Sequence, residues 1–374
     1  MRCKLLIGFA FLFSSLSLSA QEPAASFRQA VPGWEFSFPR DHGSHDEFQT
    51  EWWYFTGHLI GPAGRRFGYE LTFFRVGVNP AGGGMASAWE LENLALAHFA
   101  VTDIARRDFR FYEKVNRVSP FTAGAARGNL DVFNESWSAR AAPDGSWRIR
   151  AAGGKDGLDL VLRSRKPPAI HGTDGVSVKG KEAGAASHYY SMTRLEAEGK
   201  LVVDGESFDV AGESWMDHEF STSILDETQS GWDWFSLQLE NGTELMLYQI
   251  RTNAGGVDPA SSGSFIDTAG KVLHLRDSDF TIRPMGSWKS PESGGVYPMG
   301  WRIEVPGLGL SLTVREEMKA QELVTSASTG ITYWEGAVQV RGRSRGAEVR
   351  GAGYVELTGY ASPFRMPGKA GARD

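Results

Sequence analysis

Cysteine is almost absent from this sequence. Cys3 is the one cysteine among 374 residues, and it lies near the N-terminus, ahead of an apolar run from Leu5 to Phe13. A disulfide framework is therefore excluded, and the protein must be stabilised by a packed core, which a chain of this length can form. Because Cys3 precedes that apolar run, it cannot be the lipid-bearing residue of a lipoprotein.

Basic clusters and long apolar runs are missing as well. Lys and Arg number 39 against 45 Asp and Glu, and the formal net charge is −6. No basic stripe is visible, which argues against a nucleic-acid partner. After residue 20 no segment is apolar enough to cross a bilayer. A Gly-rich phosphate loop, a paired zinc motif and a dinucleotide fingerprint are also absent, so no cofactor is predicted.

The first residues have the pattern of a secretory signal peptide. Arg2 and Lys4 precede an apolar run from Leu5 to Phe13, and the segment closes on small residues ending at Ala20. The run is too short for a membrane anchor. We therefore predict a signal peptide over residues 1–20 and an exported protein, in the bacterial periplasm or secreted.

The rest of the chain has the pattern of an all-β protein. Its 45 glycines, 12 tryptophans and 22 phenylalanines indicate many turns and a large aromatic core. Apolar and polar residues alternate in short stretches from residue 51 almost to the end, and Asp204-Gly205 and Asn241-Gly242 are typical hairpin turns. The best helix candidate is the short segment Arg315 to Leu323. Many short strands at regular spacing favour barrels or sandwiches over a parallel sheet.

The length of the chain predicts two domains. The polar segment Ser221 to Glu227 separates two aromatic-rich strands, so we place an N-terminal domain at 33–222 and a C-terminal domain at 223–362. Residues 363–374 are predicted to be a disordered tail. The segment Lys166 to Ala186, which contains prolines and glycines, is predicted to be a surface or lid loop of the first domain.

Five aromatic and polar motifs resemble one family of proteins. In chain order they are Glu51-Trp52-Trp53-Tyr54, Tyr69 to Arg75, Leu96 to Phe99, Trp215 to Glu219, and Gly231 to Trp234. Together they resemble the AttH-like group, which is related to bacterial carotenoid 1,2-hydratase. The resemblance implies two consecutive lipocalin-like antiparallel β-barrel domains with a pocket near their junction. It also implies hydration of an isolated C=C bond in the best-known members, other rearrangements of apolar natural products, and relatives associated with ABC-type export systems.

Alkene hydration makes three demands on a site. An acid must stay protonated near neutral pH, which requires desolvation or a neighbouring like charge. A wall must stabilise a carbocation, which the faces of tryptophans can do. A histidine or carboxylate must position the water.

Strand alternation assigns candidates to these roles. In an extended segment 213–219, Trp215, Asp217 and Glu219 share one face and His218 points to the other. One hypothesis is a pocket with Asp217 or Glu219 as the acid and His218 or Glu51 positioning water. Its walls would be formed by Trp215, Trp232 and Trp234. The alternative is that Asp217, His218 and Glu219 form a buried polar network that joins the two barrels.

Other candidate ligand-binding residues lie in apolar strands: Trp53, Arg75, His98, Tyr190 and Tyr248. Trp52 and Trp53 point to opposite faces, so at most one of them lines a given pocket. Arg75 is expected to pair with a buried carboxylate such as Asp217 or Glu51. Core packing is the alternative for His98 and Tyr248.

Metal binding is a rival interpretation of two clusters. His42, His45 and Asp46 are possible ligands, as are Asp217, His218 and Glu219. Neither cluster has the spacing of a structural zinc site, so no metal is predicted.

Three functions fit these observations. The first is a hydratase or isomerase acting on an isoprenoid or lipid-like molecule. The second is a periplasmic carrier of such a molecule, or an accessory factor of an ABC-type export system. The third is an interaction protein whose Trp-rich faces dock a partner. The first two differ in whether Asp217 or Glu219 lines a cavity, because a carrier of a neutral lipid gains nothing from a desolvated carboxyl group.

Overall fold

A computed structural model describes residues 26–80, 91–182, 184–223 and 225–364 of the protein. The predicted signal peptide lies outside these residues, as do residues 365–374 of the predicted tail. Almost every regular element in the described ranges is an antiparallel β-strand. No helix in these ranges is long and apolar enough to cross a membrane.

The first sheet is built from thirteen strands. They are β1 (Thr50–Ile60), β2 (Arg66–Gly77), β3 (Asn93–Asp103), β4 (Asp108–Arg117), β5 (Ala123–Ala125), β6 (Asp131–Asn134), β7 (Trp137–Ala141), β8 (Trp147–Gly153), β9 (Asp156–Ser164), β10 (Ala169–Ile170), β11 (Ser177–Val178), β12 (Ala186–Val203) and β13 (Glu206–Ser221). Their order in the sheet is β4-β3-β2-β1-β13-β12-β9-β8-β7-β6-β5, with β10 and β11 paired to β12.

The second sheet is built from ten strands. The same part of the chain also forms a separate two-stranded ribbon, which lies between two strands of this sheet in the sequence. The strands are β14 (Gln229–Leu239), β15 (Glu244–Thr252), β16 (Ser262–Ile266), β17 (Val272–Arg276), β18 (Thr281–Pro284), β19 (Ser287–Lys289), β20 (Val296–Pro298), β21 (Trp301–Val305), β22 (Leu310–Glu316), β23 (Glu322–Val324), β24 (Thr332–Ser344) and β25 (Ala347–Thr358). Their order is β17-β16-β15-β14-β25-β24-β22-β21-β18, with β23 on β24 and β19 paired to β20.

Each sheet curls into a nearly closed barrel around its own core. Trp53, Phe55 and Phe73 belong to the core of the first barrel, and Trp301 and Trp334 to that of the second. In the described ranges the two ends of the first sheet, β4 and β5, do not pair with each other. Close to this gap the side-chain amide of Asn134 in β6 donates to the carbonyl of Ala95 in β3 over 3.1 Å. The alternation predicted from the sequence thus places one face of each strand inside a barrel.

The predicted helix at Arg315 to Leu323 is wrong. The segment continues β22, turns, and enters β23. Partners elsewhere in the barrel hold its backbone, because Trp334 Nε1 donates to the carbonyl of Lys319 and the amide of Glu335 donates to that of Gln321. These tertiary bonds override a weak local helix preference. The helical elements in the described ranges are four 3₁₀ turns: Arg40–His42, Pro62–Gly64, Asp277–Asp279 and Pro306–Leu308.

The two barrels pack against each other through their outer faces. A third core cluster lies between them and includes Tyr54 and Trp215 of the first barrel and Trp234 and Tyr354 of the second. The approach is close at Gly68, where a Cβ atom would lie 2.4 Å from the hydroxyl of Tyr354. Strand β1 and the second half of β13, from Ser214 to Ser221, are therefore buried on both faces, one toward the barrel interior and one toward the junction.

A strap, residues 166–182, ties the barrels together. Lys166 Nζ donates to Glu244 Oε2 over 2.6 Å, and to two carbonyls of the second barrel. His171 contacts Ser264 Oγ at 2.8 Å, and the Tyr248 hydroxyl donates to the carbonyl of Val178 over 3.0 Å. The segment predicted as a loop of the first domain is thus attached to the second barrel as well.

Replacing Lys166, the buried lysine at the start of the strap, should destabilise the protein. The Lys166 side chain is 7% exposed, and Lys166→Ala leaves Glu244 with Arg194 as its remaining cation partner. We expect a loss of roughly 2–4 kcal/mol in the free energy of unfolding, measured by urea denaturation. The control is Lys155→Ala, whose side chain is 76% exposed beside Asp204. A Lys166→Ala variant as stable as this control would contradict the structural role of the strap.

Candidate functional site

A cavity lies where the outer faces of the two barrels meet. The space inside it and in its open mouth together measures about 1160 Å³. Most of its lining is aromatic or aliphatic. The lining includes Trp52, Tyr54, His98, Lys179, Tyr189, Asp217, Glu219, Trp232, Trp234, Tyr248, Ile331, Tyr333, Glu335, Glu356 and Phe364.

Strand register builds the wall on the first barrel. Tyr54 of β1 lies opposite Asp217 of β13, and Trp52 lies opposite Glu219. Because alternate residues share a face, the two carboxyl groups and the two aromatic rings all point into the junction. The acids thus lie beside rings that can shield them from water.

Asp217 is a desolvated carboxyl group that has hydrogen-bond donors but no ion pair among the described residues. The Tyr189 hydroxyl donates to Oδ2 over 2.6 Å, and Trp215 Nε1 donates to Oδ1 over 2.6 Å. The Ser191 hydroxyl also donates to Oδ1. Burial raises the pKa of Asp217 to about 7, although these hydrogen bonds oppose the shift. Asp217 can therefore carry a proton near neutral pH.

Glu219 differs from Asp217 because it has a cation partner. Lys179 of the strap places Nζ 3.2 Å from Glu219 Oε1 and 3.9 Å from the centre of the Tyr248 ring. Desolvation opposes the charge on Lys179, but Glu219 and the other acidic groups around it together outweigh desolvation, and the pKa of Lys179 is raised. Lys179 and Glu219 thus form a buried ion pair at the edge of the cavity.

The second barrel contributes two more carboxyl groups. The Tyr54 hydroxyl donates to Glu335 Oε1 over 2.5 Å, and Trp232 Nε1 donates to Glu356 Oε2 over 2.9 Å. Burial raises the pKa of Glu356 to about 7 and that of Glu335 well above its ordinary value. Behind the wall, burial also raises the pKa of Glu70 to about 8. The junction therefore collects carboxyl groups that favour their protonated forms.

On the opposite face of β1 and β13, a second polar cluster is built around Glu51. His45 Nδ1 lies 2.8 Å from Glu51 Oε1, His218 Nε2 lies 2.9 Å from the same oxygen, and Arg75 Nε donates to Oε2 over 3.1 Å. Desolvation opposes ionisation, yet these partners hold the pKa of Glu51 well below its ordinary value. The Tyr190 hydroxyl extends the cluster, 3.1 Å from His218 Nδ1.

Three members of this cluster are residue types that bind metals. The ligand atoms of His45, Glu51 and His218 lie within 4.8 Å of one another, a combination that neither sequence cluster predicted. A dication there would stand beside the Arg75 guanidinium, on a carboxylate already paired with cations. Hydrogen bonds also raise the pKa of His45 to about 9 against desolvation, so a metal would have to displace its proton. We interpret the cluster as a structural ion network.

The predicted site residues fall on two sides of the sheet. Six of them line the cavity: Asp217, Glu219, His98, Trp232, Trp234 and Tyr248. Trp215 lies behind the wall as a donor to Asp217. Five lie on the face turned away from it: Glu51, His218, Trp53, Arg75 and Tyr190. His218 and Glu51 are therefore separated from Asp217 by the sheet and cannot position water beside it.

In two aromatic pairs, the neighbour of the predicted residue lines this cavity. Trp52 lines the cavity, whereas Trp53 stacks on His218 with ring centres 4.8 Å apart. Tyr189 lines the cavity, whereas Tyr190 contacts His218 inside the first barrel. Adjacent residues of a strand point to opposite faces of the sheet, and the sequence does not show which face points into the barrel.

Trp53 and Arg75, which face away from the junction, border a second space. About 620 Å³ lies at one end of the first barrel, next to Trp53 and Arg75. The Arg75 guanidinium already donates to Glu51, to Asn93 and to the carbonyls of His45 and Phe48. Its expected pairing with a buried carboxylate is thus seen with Glu51 and not with Asp217.

Several cavity residues were not predicted from the sequence. Tyr54, Lys179, Tyr333, Glu335 and Glu356 all line it. Glu356 could have been identified as a candidate from the sequence, because it is a single carboxylate between the apolar residues Val355 and Leu357. Phe364, assigned to the tail, is buried and packs on Trp232 with ring centres 4.5 Å apart.

Comparison with known proteins agrees with this architecture. A family model described as AttH-like matches residues 29–360. A protein from Nitrosomonas europaea assigned as an AttH is 33% identical, with 89% of this chain and 100% of that chain covered and a TM-score of 0.80. Kievitone hydratase from Nectria haematococca shares the fold at 14% identity, with coverage of 90% and 97% and a TM-score of 0.70. A search of curated proteins finds no match.

These likenesses confirm the fold that the sequence motifs implied. Two consecutive lipocalin-like barrels are present, and the matched region spans nearly all of the described residues. The chain belongs to the AttH-like family.

Proposed function

We propose that this protein is an exported acid catalyst that adds water to, or shifts, a C=C bond of an isoprenoid or lipid-like molecule bound between its barrels. The observation that carries the proposal is Asp217, a carboxyl group with a raised pKa in the wall of an aromatic cavity. The presence of a hydratase on the same fold, kievitone hydratase, is consistent with this chemistry.

Asp217 is the better of the two acids suggested by the sequence. Glu219 is ion-paired with Lys179, and transfer of a proton from it would require breaking that pair. Asp217 has neutral donors, and Trp234 Nε1 donates to the same Tyr189 hydroxyl over 3.0 Å. Asp217 and Tyr189 can therefore hold a proton at the cavity wall. Once Asp217 has given its proton to the alkene carbon, its carboxylate can take one back from the attacking water, or from a neighbouring carbon when the bond shifts.

The walls suit a carbocation intermediate. Trp52, Trp232 and Trp234 line the cavity, together with Tyr54 and Tyr333. An aromatic face attracts a cation by roughly 1–2 kcal/mol when water is excluded, and it is a much weaker nucleophile than a carboxylate. Several such faces around one space favour the formation of a cation there without trapping it.

Replacing the acid should abolish catalysis and spare binding. We expect Asp217→Asn to lower turnover by roughly a hundredfold or more, because an amide cannot supply the proton. Natural ligands are first identified by mass spectrometry of the protein purified from its own host. Turnover of these ligands, and of squalene and geranylgeraniol, is then measured as uptake of oxygen from isotopically labelled water, or of deuterium from heavy water.

The matched control is Asp209→Asn, on the same strand but with its side chain 84% exposed. It should retain full activity. Tight binding by the wild-type protein without uptake of either label would reject the enzyme and support the carrier.

A second prediction tests whether the junction carboxyl groups are protonated. Folded Asp217 and Glu356 keep their protons up to about pH 7 and Glu70 up to about 8, but the unfolded chain loses them near 3.8 to 4.5. The folded state therefore binds more protons, and the free energy of unfolding should fall as pH rises from 6.5 to about 8. His45, with a pKa raised to about 9, acts in the same direction.

Buried histidines oppose this trend in the lower part of the window. Burial lowers the pKa of His42 and His188 to about 4 from 6.5, so the unfolded chain keeps some of their protons up to roughly pH 7.5. Comparison between variants cancels this contribution, because every variant carries the same histidines. Urea denaturation across the window should show a smaller fall for Asp217→Asn and for Glu356→Gln, and the smallest for the double variant. Equal slopes in the wild type and the double variant would show that these carboxyl groups are already ionised.

A further inference from the structure

We propose that Glu335 and Glu356 form a subsite that binds a hydroxyl group of the ligand. The inference rests on the proposed function only in taking the junction cavity as the ligand site. It assigns a ligand class, an apolar molecule carrying an alcohol or phenol group, whether or not the cavity is catalytic.

The two carboxyl groups lie side by side on the second barrel. Glu335 of β24 pairs directly with Glu356 of β25 in the strand register. Their neighbours Trp334, Val355 and Leu357 point into the barrel core, so alternation turns both acids toward the cavity. Opposite residues in an antiparallel pair have Cβ atoms roughly 5 Å apart, close enough for one small polar group to contact both.

One oxygen of this pair lacks a protein partner. Glu335 is 1% exposed, and its Oε2 atom accepts or donates no hydrogen bond among the described residues. A buried polar atom without a partner costs roughly 1–3 kcal/mol. The Tyr54 hydroxyl is already committed to Oε1, and the Tyr333 hydroxyl lies 2.7 Å from His98 Nδ1. A ligand group that reaches Oε2 would therefore recover this cost.

The chemistry of the pair selects the group. A protonated carboxyl both donates and accepts, so its best neutral partner is a hydroxyl, which also does both. A ligand carboxylate would be unfavourable, because it would lie beside Asp217, Glu335 and Glu356. None of these carboxyl groups has an ion pair among the described residues. The one ammonium lining the described cavity, that of Lys179, is already paired with Glu219. An ether can accept a hydrogen bond but cannot donate one.

Three ligands that share one chain test this assignment. Farnesol, its methyl ether and farnesoate are titrated at neutral pH against the fluorescent apolar probe N-phenylnaphthylamine bound to the wild-type protein. Farnesol should bind roughly five- to tenfold more tightly than the ether, the gain expected from one net hydrogen bond. Farnesoate should bind more weakly than either. Ile331→Trp, which narrows the cavity, should weaken all three.

Variants separate the subsite from general packing. Glu335→Leu should remove the preference for farnesol over the ether, whereas Glu335→Gln should keep most of it because an amide both donates and accepts. The control is Glu70→Leu, a buried junction carboxyl group that does not line the cavity. It should leave the ratio of the two affinities unchanged even if overall stability falls.

The outcomes distinguish this inference from the proposed function. Equal binding of farnesol and its ether by the wild type, or an unchanged preference in Glu335→Leu, would overturn the subsite alone. Tightest binding of farnesoate would also overturn it and would assign the head-group site to Lys179. Failure of all three ligands to displace the probe, or binding unaffected by Ile331→Trp, would remove the cavity as the ligand site and the proposed function with it.

Discussion

Burial of strand β1 and of the second half of β13 on both faces is the constraint on which the rest of the structure depends. A strand in an isolated barrel has one face in the core and one in water. Here the second barrel covers the outer face, so every side chain from Trp52 to Tyr54 and from Trp215 to Glu219 must find partners away from solvent. Polar residues in such strands are costly unless they are paired or neutral.

The two faces meet this cost in different ways. Inside the first barrel, Glu51 is charged because Arg75 and His45 neutralise it, and both cations are themselves buried and hydrogen-bonded. At the junction, Asp217 is surrounded by hydroxyls and indoles, and Glu335 by a tyrosine hydroxyl. Without a cation, desolvation decides, and these groups favour the protonated form. The charged network around Glu51 is structural, whereas the carboxyl groups at the junction favour protonation and lie next to an open cavity.

Much of this could be predicted from the sequence, because strand alternation is a local property. The placement of Trp215, Asp217 and Glu219 on one face and of His218 on the other follows from the period of two. The sequence could not show which face meets a cavity, since that depends on how two barrels dock. For that reason Trp52 and Tyr189 line the cavity, whereas the predicted residues were their neighbours Trp53 and Tyr190. Glu335 and Glu356 were missed because only the pairing of β24 with β25 brings them together.

The need for two barrels follows from the composition of the cavity wall. Asp217, Tyr54 and Trp52 come from the first barrel, and Trp232, Glu335 and Glu356 from the second. Tyr54 reaches across to donate to Glu335, so the docking contact and the wall of the site are the same interaction. The strap adds Lys179 while its ends hold the second barrel. A shift of one barrel against the other would therefore separate the proposed acid from the proposed hydroxyl subsite. Rigidity of this interface is thus a requirement of the site as well as a source of stability.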